Sequence, residues 1–287
     1  LGRFLPDDRP YGESWELVDR EKEQSVVAAG PLAGRTLHDL WTHQRAEIFG
    51  PAYAGHPALR FPLLIKVLDC ADDLSLQVHP PAAIAARLHG EPKTEMWYVA
   101  QAQPGARLYA GLKYGVSRDT FAASLADGSV ADHVHSEAAA EGDSLFVPSG
   151  RLHALGGGLL IYEIQQNSDT TYRVFDWNRM GLDGKPRDLH VPESMQCIDF
   201  ADVEPALLKA GERSVLAACA HFTVTRRRTG DGLEPKPDRF RLIMPLTTTQ
   251  WGGEDLLPGI VALLPAAVVA IGIPDPQGEW LEISLPC

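Results

Sequence analysis

The sequence predicts a mainly β protein, a sandwich or closed barrel with a few helices and a second, smaller β unit. Three observations carry that prediction. Short apolar or alternating runs recur along the chain, Gly, Pro, Asp and Asn separate them, and clear helical periodicity is scarce. Many short strands at such spacing are built into sandwiches and barrels.

The elements follow in order. Residues 36–49 (TLHDLWTHQRAEIF) suit a helix, as do residues 81–89 after the Pro80-Pro81 step. Residues 117–127 suit a third, with Ser117 placed to cap it. Strand-like runs occupy 62–69 (PLLIKVLD), 74–79 (LSLQVH), 95–100 (EMWYVA), 106–112 (ARLYAGL), 144–148 (SLFVP), 158–165 (GLLIYEIQ) and 170–177 (TTYRVFDW). A short helix-like stretch at 200–212 (FADVEPALLKAGE) interrupts them. Further strands are expected near 215–227, 239–247, 259–264, 267–272 and 279–284. The predicted organisation is therefore a larger β domain over 1–200 and a smaller one over 201–287. The Arg226-Arg227-Arg228 triplet reads as solvated side chains on an edge strand, where charge discourages edge pairing.

Composition narrows the function. The chain has 287 residues, 45% hydrophobic and 22% charged, which is ordinary for a globular protein. A formal charge of −12 leaves no broad basic surface for nucleic acid or an anionic membrane. An anionic substrate must then be captured by a few local Lys and Arg side chains. Cys70, Cys197, Cys219 and Cys287 are far apart with no C-x-x-C pair, which points to a reducing compartment and away from a thiolate metal site. The start, LGRFLPDDRP, lacks the basic head and apolar run of a signal peptide. The apolar stretch from Ile260 to Ile273 is too short to span a bilayer and contains Pro265. The expected setting is cytoplasmic.

Three segments hold residues suited to chemistry. In Leu74-Ser75-Leu76-Gln77-Val78-His79 the alternation sends Ser75, Gln77 and His79 to one face of a strand and the leucines and valine to the other. That polar face is either solvated or aimed into a barrel; the apolar 62–69 run before it favours a central position. Glu95 opens an aromatic-rich strand, where a buried carboxylate needs a cation and a surface one does not. The third segment, Gly142 to His153, fits the second cupin motif G-x5-P-x-G-x2-H position for position, and Gly157 stands where that motif usually closes with Asn. Two His, one Glu and an amide oxygen suit a borderline divalent ion such as Zn²⁺, with a position left open for water or substrate. A competing pattern, His133-Val134-His135-Ser136-Glu137, lies in a polar, Ala-rich connector and reads as exposed loop histidines. Arg173, among apolar and aromatic neighbours, is either paired with a nearby acid or turned inward toward an anionic ligand.

Taken together and in this order, the QVHP, KTEMWY, PSGRLHAL and IQQNSDTTYRVFDWNR segments resemble the type I mannose-6-phosphate isomerases in their short bacterial form. The likeness takes in Gly12 to Leu17, covers most of residues 10–195 and is faint in the C-terminal third. The resemblance implies a cupin-type jelly-roll barrel with a smaller jelly-roll-like unit. It implies a zinc site at Gln77, His79, Glu95 and His153, with Arg173 as the catalytic arginine. It places Lys93 and Ser75 near the phosphate of a phosphorylated hexose, Lys93 being alternatively a participant in proton transfer. The implied reaction interconverts mannose 6-phosphate and fructose 6-phosphate through a cis-enediolate. Another aldose or aldose phosphate is an alternative substrate, and an iron-dependent cupin oxygenase or a non-catalytic sugar-binding cupin an alternative class; neither the oligomeric state nor the general base follows from the sequence.

Overall fold

A computed structural model of the chain describes residues 11–180, 184–233, 236–251, 254–266 and 278–286. The chain divides into two compact units, Leu68–Ala210 and Leu1–Val67 with Gly211–Cys287. Where the strand pattern suggests a boundary after residue 200, the packing groups the first 67 residues with the C-terminal strands.

In the discontinuous unit, strand β1 (Glu13–Leu17) is followed by helix α1 (Leu37–His43). Thr36 caps this helix by accepting the Asp39 N–H at 3.1 Å, which satisfies one of the orphan donors of the first turn. The predicted 36–49 helix changes pitch after Gln44, where Arg45–Phe49 form a π-helical turn. Trp41, Phe49, Phe61 and Phe240 stack edge-on and tilted at 5.0–5.6 Å, the geometry that aromatic quadrupoles favour.

Strand β2 (Leu63–Cys70) leads into the other unit, which holds β3 (Leu76–Val78), β4 (Glu95–Ala102), β5 (Arg107–Leu112), β6 (Val134–Ala138), β7 (Ser144–Val147), β8 (His153–Leu155), β9 (Leu159–Gln166) and β10 (Tyr172–Phe175). Its helices are α2 (Ala82–Ala85), α3 (Arg118–Asp127) and α4 (Val191–Cys197). One sheet runs β2-β9-β4-β7 and the other β10-β3-β8-β5-β6. Leu68, Trp97, Val99, Leu145, Val147 and Ile161 from the first sheet pack with Leu108, Ala110 and Leu155 from the second in one core cluster. The two sheets therefore face each other as a jelly-roll barrel. The outer face of the second sheet, including Leu76, Val78, Ala154 and Val174, packs under Phe121 of α3 and Cys197 of α4.

Ser117 caps α3 as expected and forms a capping box with Thr120. Other expectations need correction. Residues 200–212 are not helical: Val203 bridges Leu112 and Leu208 bridges Ser144, so this stretch adds backbone partners to the barrel. The helix in that region is α4, with Pro192 in its first turn, where a missing N–H costs nothing. His133 ends a 3-10 turn and His135 lies within β6, which pairs with β5; both are half-buried, so they are not exposed loop residues.

The C-terminal strands are β11 (Val215–Ala218), β12 (Thr223–Arg228), β13 (Arg241–Pro245), β14 (Thr249–Trp251), β15 (Glu254–Leu256), β16 (Ala262–Leu264) and β17 (Glu279–Ser284). Their main sheet runs β11-β12-β17-β13-β16, with β14 and β15 as a separate pair. The Arg226–Arg228 strand is thus interior to the sheet, not at its edge. Arg226 pairs with Glu279 at 2.6 Å and Arg227 lies 3.6 Å from Glu282. The run expected at 267–272 and Cys287 lie outside the described residues. Cys70, Cys197 and Cys219 are free thiols. Burial pushes Cys70 up to about 12 and Cys197 up to about 11, so neither is poised to react.

Candidate metal centre

The centre is assembled by strand register. On the second sheet Gln77 of β3 is the partner of both Arg173 on β10 and His153 on β8, and His153 is in turn opposite Ala110 on β5. Directly opposed residues share a face. Arg173, Gln77, His153 and Ala110 therefore leave the sheet in one row, toward the interior that Ala110 helps to fill. His79 follows two residues after Gln77. From the facing sheet, Glu95 of β4 lies between Val147 on β7 and Gln165 on β9. The barrel is apolar along much of its length and polar at this end.

The turn before His153 is fixed by Gly150, at φ +95, a conformation that side chains rarely adopt. Its N–H donates to the His79 carbonyl at 2.9 Å, and a Cβ added there would meet the Cys197 carbonyl at 3.2 Å. The Gly-Arg-Leu-His step thus links two histidines that are distant in sequence.

His79, Glu95 and His153 are buried, with ligand atoms all within 4.8 Å of one another. His79 Nε2 is 3.3 Å from one Glu95 oxygen and His153 Nε2 is 3.5 Å from the other. Donors held at roughly 2.0–2.2 Å from a tetrahedral ion lie about 3.3–3.6 Å apart. The spacing fits. His79 Nδ1 donates to the Thr170 carbonyl at 2.9 Å and His153 Nδ1 to the Arg151 carbonyl at 2.8 Å. Each bond sets the tautomer that presents a bare Nε2 lone pair to the centre. Glu95 Oε1 and His153 Nε2 are buried with no hydrogen-bond partner among the described residues, as expected of atoms whose partner is an ion.

Electrostatics favour the ligand states of all three. Burial lowers the His153 imidazole to about 3, with His79 adding to the effect, so it is neutral. Burial likewise lowers His79, reinforced by Lys93. Burial alone would raise the Glu95 carboxyl, but Lys93 and the two histidines hold it well below the usual carboxylate range.

Lys93 is buried with its Nζ 2.7 Å from Glu95, 3.3 Å from His79 Nε2 and 3.6 Å from Glu163. Arg173 is half-buried; its Nη1 donates to the Asp188 carbonyl at 2.8 Å, and no carboxylate among the described residues pairs with it. Ser75 is buried just ahead of β3. Two residues were missed by the sequence reading. Glu163 of β9 is buried beside Lys93 and accepts the Trp97 indole N–H at 2.9 Å. Gln165, fully buried opposite Glu95, donates to the Ser168 carbonyl at 2.6 Å. The signal was the polar pair two apart inside the apolar run LLIYEIQ, on a strand whose neighbours are buried on both faces. Among the described residues, His79, Glu95 and His153 form the one His/Cys/Asp/Glu group of three able to hold an ion; His133 and His135 take no part.

Residues 3–108 match the model of the phosphomannose isomerase type I catalytic domain. A mannose-6-phosphate isomerase of Bacillus subtilis (strain 168) is 36% identical over 233 residues, spanning 78% of this chain and 71% of that protein. The chain belongs to the type I phosphomannose isomerase family. A mannose-6-phosphate isomerase of Streptococcus mutans is 39% identical over 231 residues, again 78% of this chain and 71% of the relative. The crystal structure of the mannose 6-phosphate isomerase from B. subtilis superposes with a TM-score of 0.83 at 26% identity, over 99% of this chain and 92% of that one. The family's cupin fold is therefore shared through the C-terminal strands as well, where the sequence likeness is faint.

Proposed function

We propose that this chain is a metal-dependent aldose–ketose isomerase that interconverts mannose 6-phosphate and fructose 6-phosphate. Family membership supports the reaction, and one observation carries the site: a buried His–Glu–His group faces the row that holds Gln77 and Arg173. The proposed ligands are Gln77, His79, Glu95 and His153. Nitrogen and oxygen donors without thiolates suit zinc better than Mg²⁺ or Ca²⁺. When bound, such an ion supplies Lewis-acid polarisation of the sugar carbonyl.

Isomerisation moves a proton between neighbouring carbons through a cis-enediolate, so charge develops on two adjacent oxygens. Arg173, always charged and on the same row as the ligands, stabilises that charge with a planar fork of donors. Lys93 sits against Glu95 and Glu163, next to the proposed ligands, which supports a role in proton transfer over a remote phosphate contact. Ser75, at the start of the same polar face, is left to orient the phosphorylated end of the hexose. Binding energy from that phosphate positions the sugar in the centre.

The test is a coupled assay for fructose 6-phosphate from mannose 6-phosphate, read together with metal content. Chelation should abolish turnover and Zn²⁺ restore it. His153→Ala should lose the metal and His135→Ala keep it; the reverse pattern removes the ligand assignment, and a metal-loaded protein without turnover leaves a sugar-binding cupin.

A further inference from the structure

A second cluster of charge lies in the C-terminal sheet. Strand β17 is flanked by β12 and β13, with Arg227 opposite Trp280 and with Thr225 and Ile243 on either side of Glu282. Alternation along the strands then puts Arg227, Arg241, Trp280 and Glu282 on one face. Ile243, Leu264 and Trp280 on that face pack with Leu233 in an apolar cluster. Arg226 and Glu279 pair with each other on the opposite face.

The charges are unbalanced. Glu282 is 6% exposed and Arg241 only 3%. Arg227, Lys236 and Arg241 bring nitrogens to 3.6, 3.8 and 3.9 Å of the Glu282 carboxylate. Three cations thus surround one anion at distances longer than a hydrogen bond. Arg227 Nε, Arg241 Nε and Trp280 Nε1 are buried donors with no hydrogen-bond acceptor among the described residues. Burying a guanidinium with unmet N–H groups is costly, and an oxyanion between these donors would satisfy both the charge and the hydrogen bonds. The Arg227 and Lys236 side chains are 33% and 41% exposed, which leaves a way in from solvent.

We propose that Arg227, Lys236, Arg241 and Trp280 form an anion-binding site of the C-terminal unit, with phosphate or a phosphate monoester as ligand. The donors diverge from planar forks, and a tetrahedral oxyanion offers several acceptors to match them. Glu282 holds the cations together and competes with the ligand.

The experiment titrates the full chain with inorganic phosphate at constant ionic strength, balanced with chloride, and follows the thermal midpoint. A saturable rise is expected, and it should persist in the double variant Ser75→Ala/Arg173→Ala, which separates it from phosphate in the isomerase centre. Arg241→Met should abolish the rise, and Glu282→Gln should lower the half-saturating concentration several-fold. If Arg241→Met does not fold, Arg227→Met, changed at a part-exposed position, should raise that concentration several-fold. Glycerol phosphate in place of phosphate distinguishes the sources: tighter binding assigns the phosphoryl end of a metabolite, equal or weaker binding the free ion. No saturable rise in the unaltered protein, a rise that vanishes in Ser75→Ala/Arg173→Ala, or one unchanged in Arg227→Met would overturn the site.

Discussion

Arg173 is the residue on which the proposed charge stabilisation rests. It stands in register with Gln77, yet its hydrogen bond goes to a backbone carbonyl, that of Asp188. Its Nε is buried without a hydrogen-bond partner among the described residues. Asp176, the nearby acid, is instead taken up by Arg179 at 2.7 Å and by Arg187. Burial and the neighbouring Arg187 lower the Arg173 pKa, with Asp176 and Asp188 opposing them. A cation without a carboxylate partner among the described residues suits the oxyanion-stabilising role proposed for it. Because it makes neither of the hydrogen bonds to Thr170 and Arg151 that set the imidazole tautomers, Arg173→Ala should keep the full metal content. Its kcat should fall by on the order of 100- to 1000-fold, the effect of removing one preorganised donor from a developing oxyanion. Turnover equal to that of the unaltered protein, measured with metal content, would make Arg173 a structural residue.

At the level of elements, the strands that build the centre were legible because both of their periodicities survive in the sequence. Leu76 and Val78 go to the outer core while Gln77 and His79 go inward, and β2, β4 and β9 are apolar because both faces are covered. What was not legible came from tertiary partners. Strand β6 is polar, since Ser136 and Glu137 bond Arg107 and Lys209, and its strand character comes from pairing with β5. Helix α4 is short, with Pro192 in its first turn, while residues 200–212 carry helix-forming side chains but make isolated bridges to Leu112 and Ser144 instead of a helix. Glu163 and Gln165 were hidden for another reason: on a strand covered on both faces, their two-apart spacing is the one local sign of which side faces a cavity. The departure from the cupin motif at Gly157 also has a local cause, since a Cβ there would meet the Ala71 and Asp72 backbone at 3.2–3.3 Å. Its neighbour Gly156 is tighter still. Gly156 N–H donates to the Arg107 carbonyl, and a Cβ would sit 2.4 Å from that oxygen. Gly156→Ala must push β8 from β5 three residues beyond His153. It should cost about 1–3 kcal/mol in urea denaturation and weaken metal binding; an unchanged midpoint would show that the ladder has slack.

For the molecule as a whole, the centre makes stability depend on pH in a direction that can be worked out. The unfolded chain binds protons on His79 and His153 with the ordinary histidine pKa of about 6.5, whereas the folded metal-free chain takes one on His153 only near 3. Between these values the unfolded state carries the extra proton, so stability is fully present above about 6.5 and is lost as pH falls toward about 3. The lowered His79 acts with the same sign, as does Glu95, whose carboxylate is held ionised by Lys93 below the pH at which an unfolded glutamate protonates. Acid therefore works on the apo protein through all three residues at once. Denaturation of the chelated protein should show stability falling from pH 7 to pH 5, and His153→Gln, which cannot titrate, should fall less steeply. One proton sets the largest difference in slope, about 1.4 kcal/mol per pH unit. Zinc restored to the unaltered chain should flatten the upper part of this fall, because a ligated imidazole excludes the proton until the ion leaves. Parallel slopes for His153→Gln and the unaltered apo protein would mean that His153 is protonated in the fold, and that burial does not keep it ready for a metal.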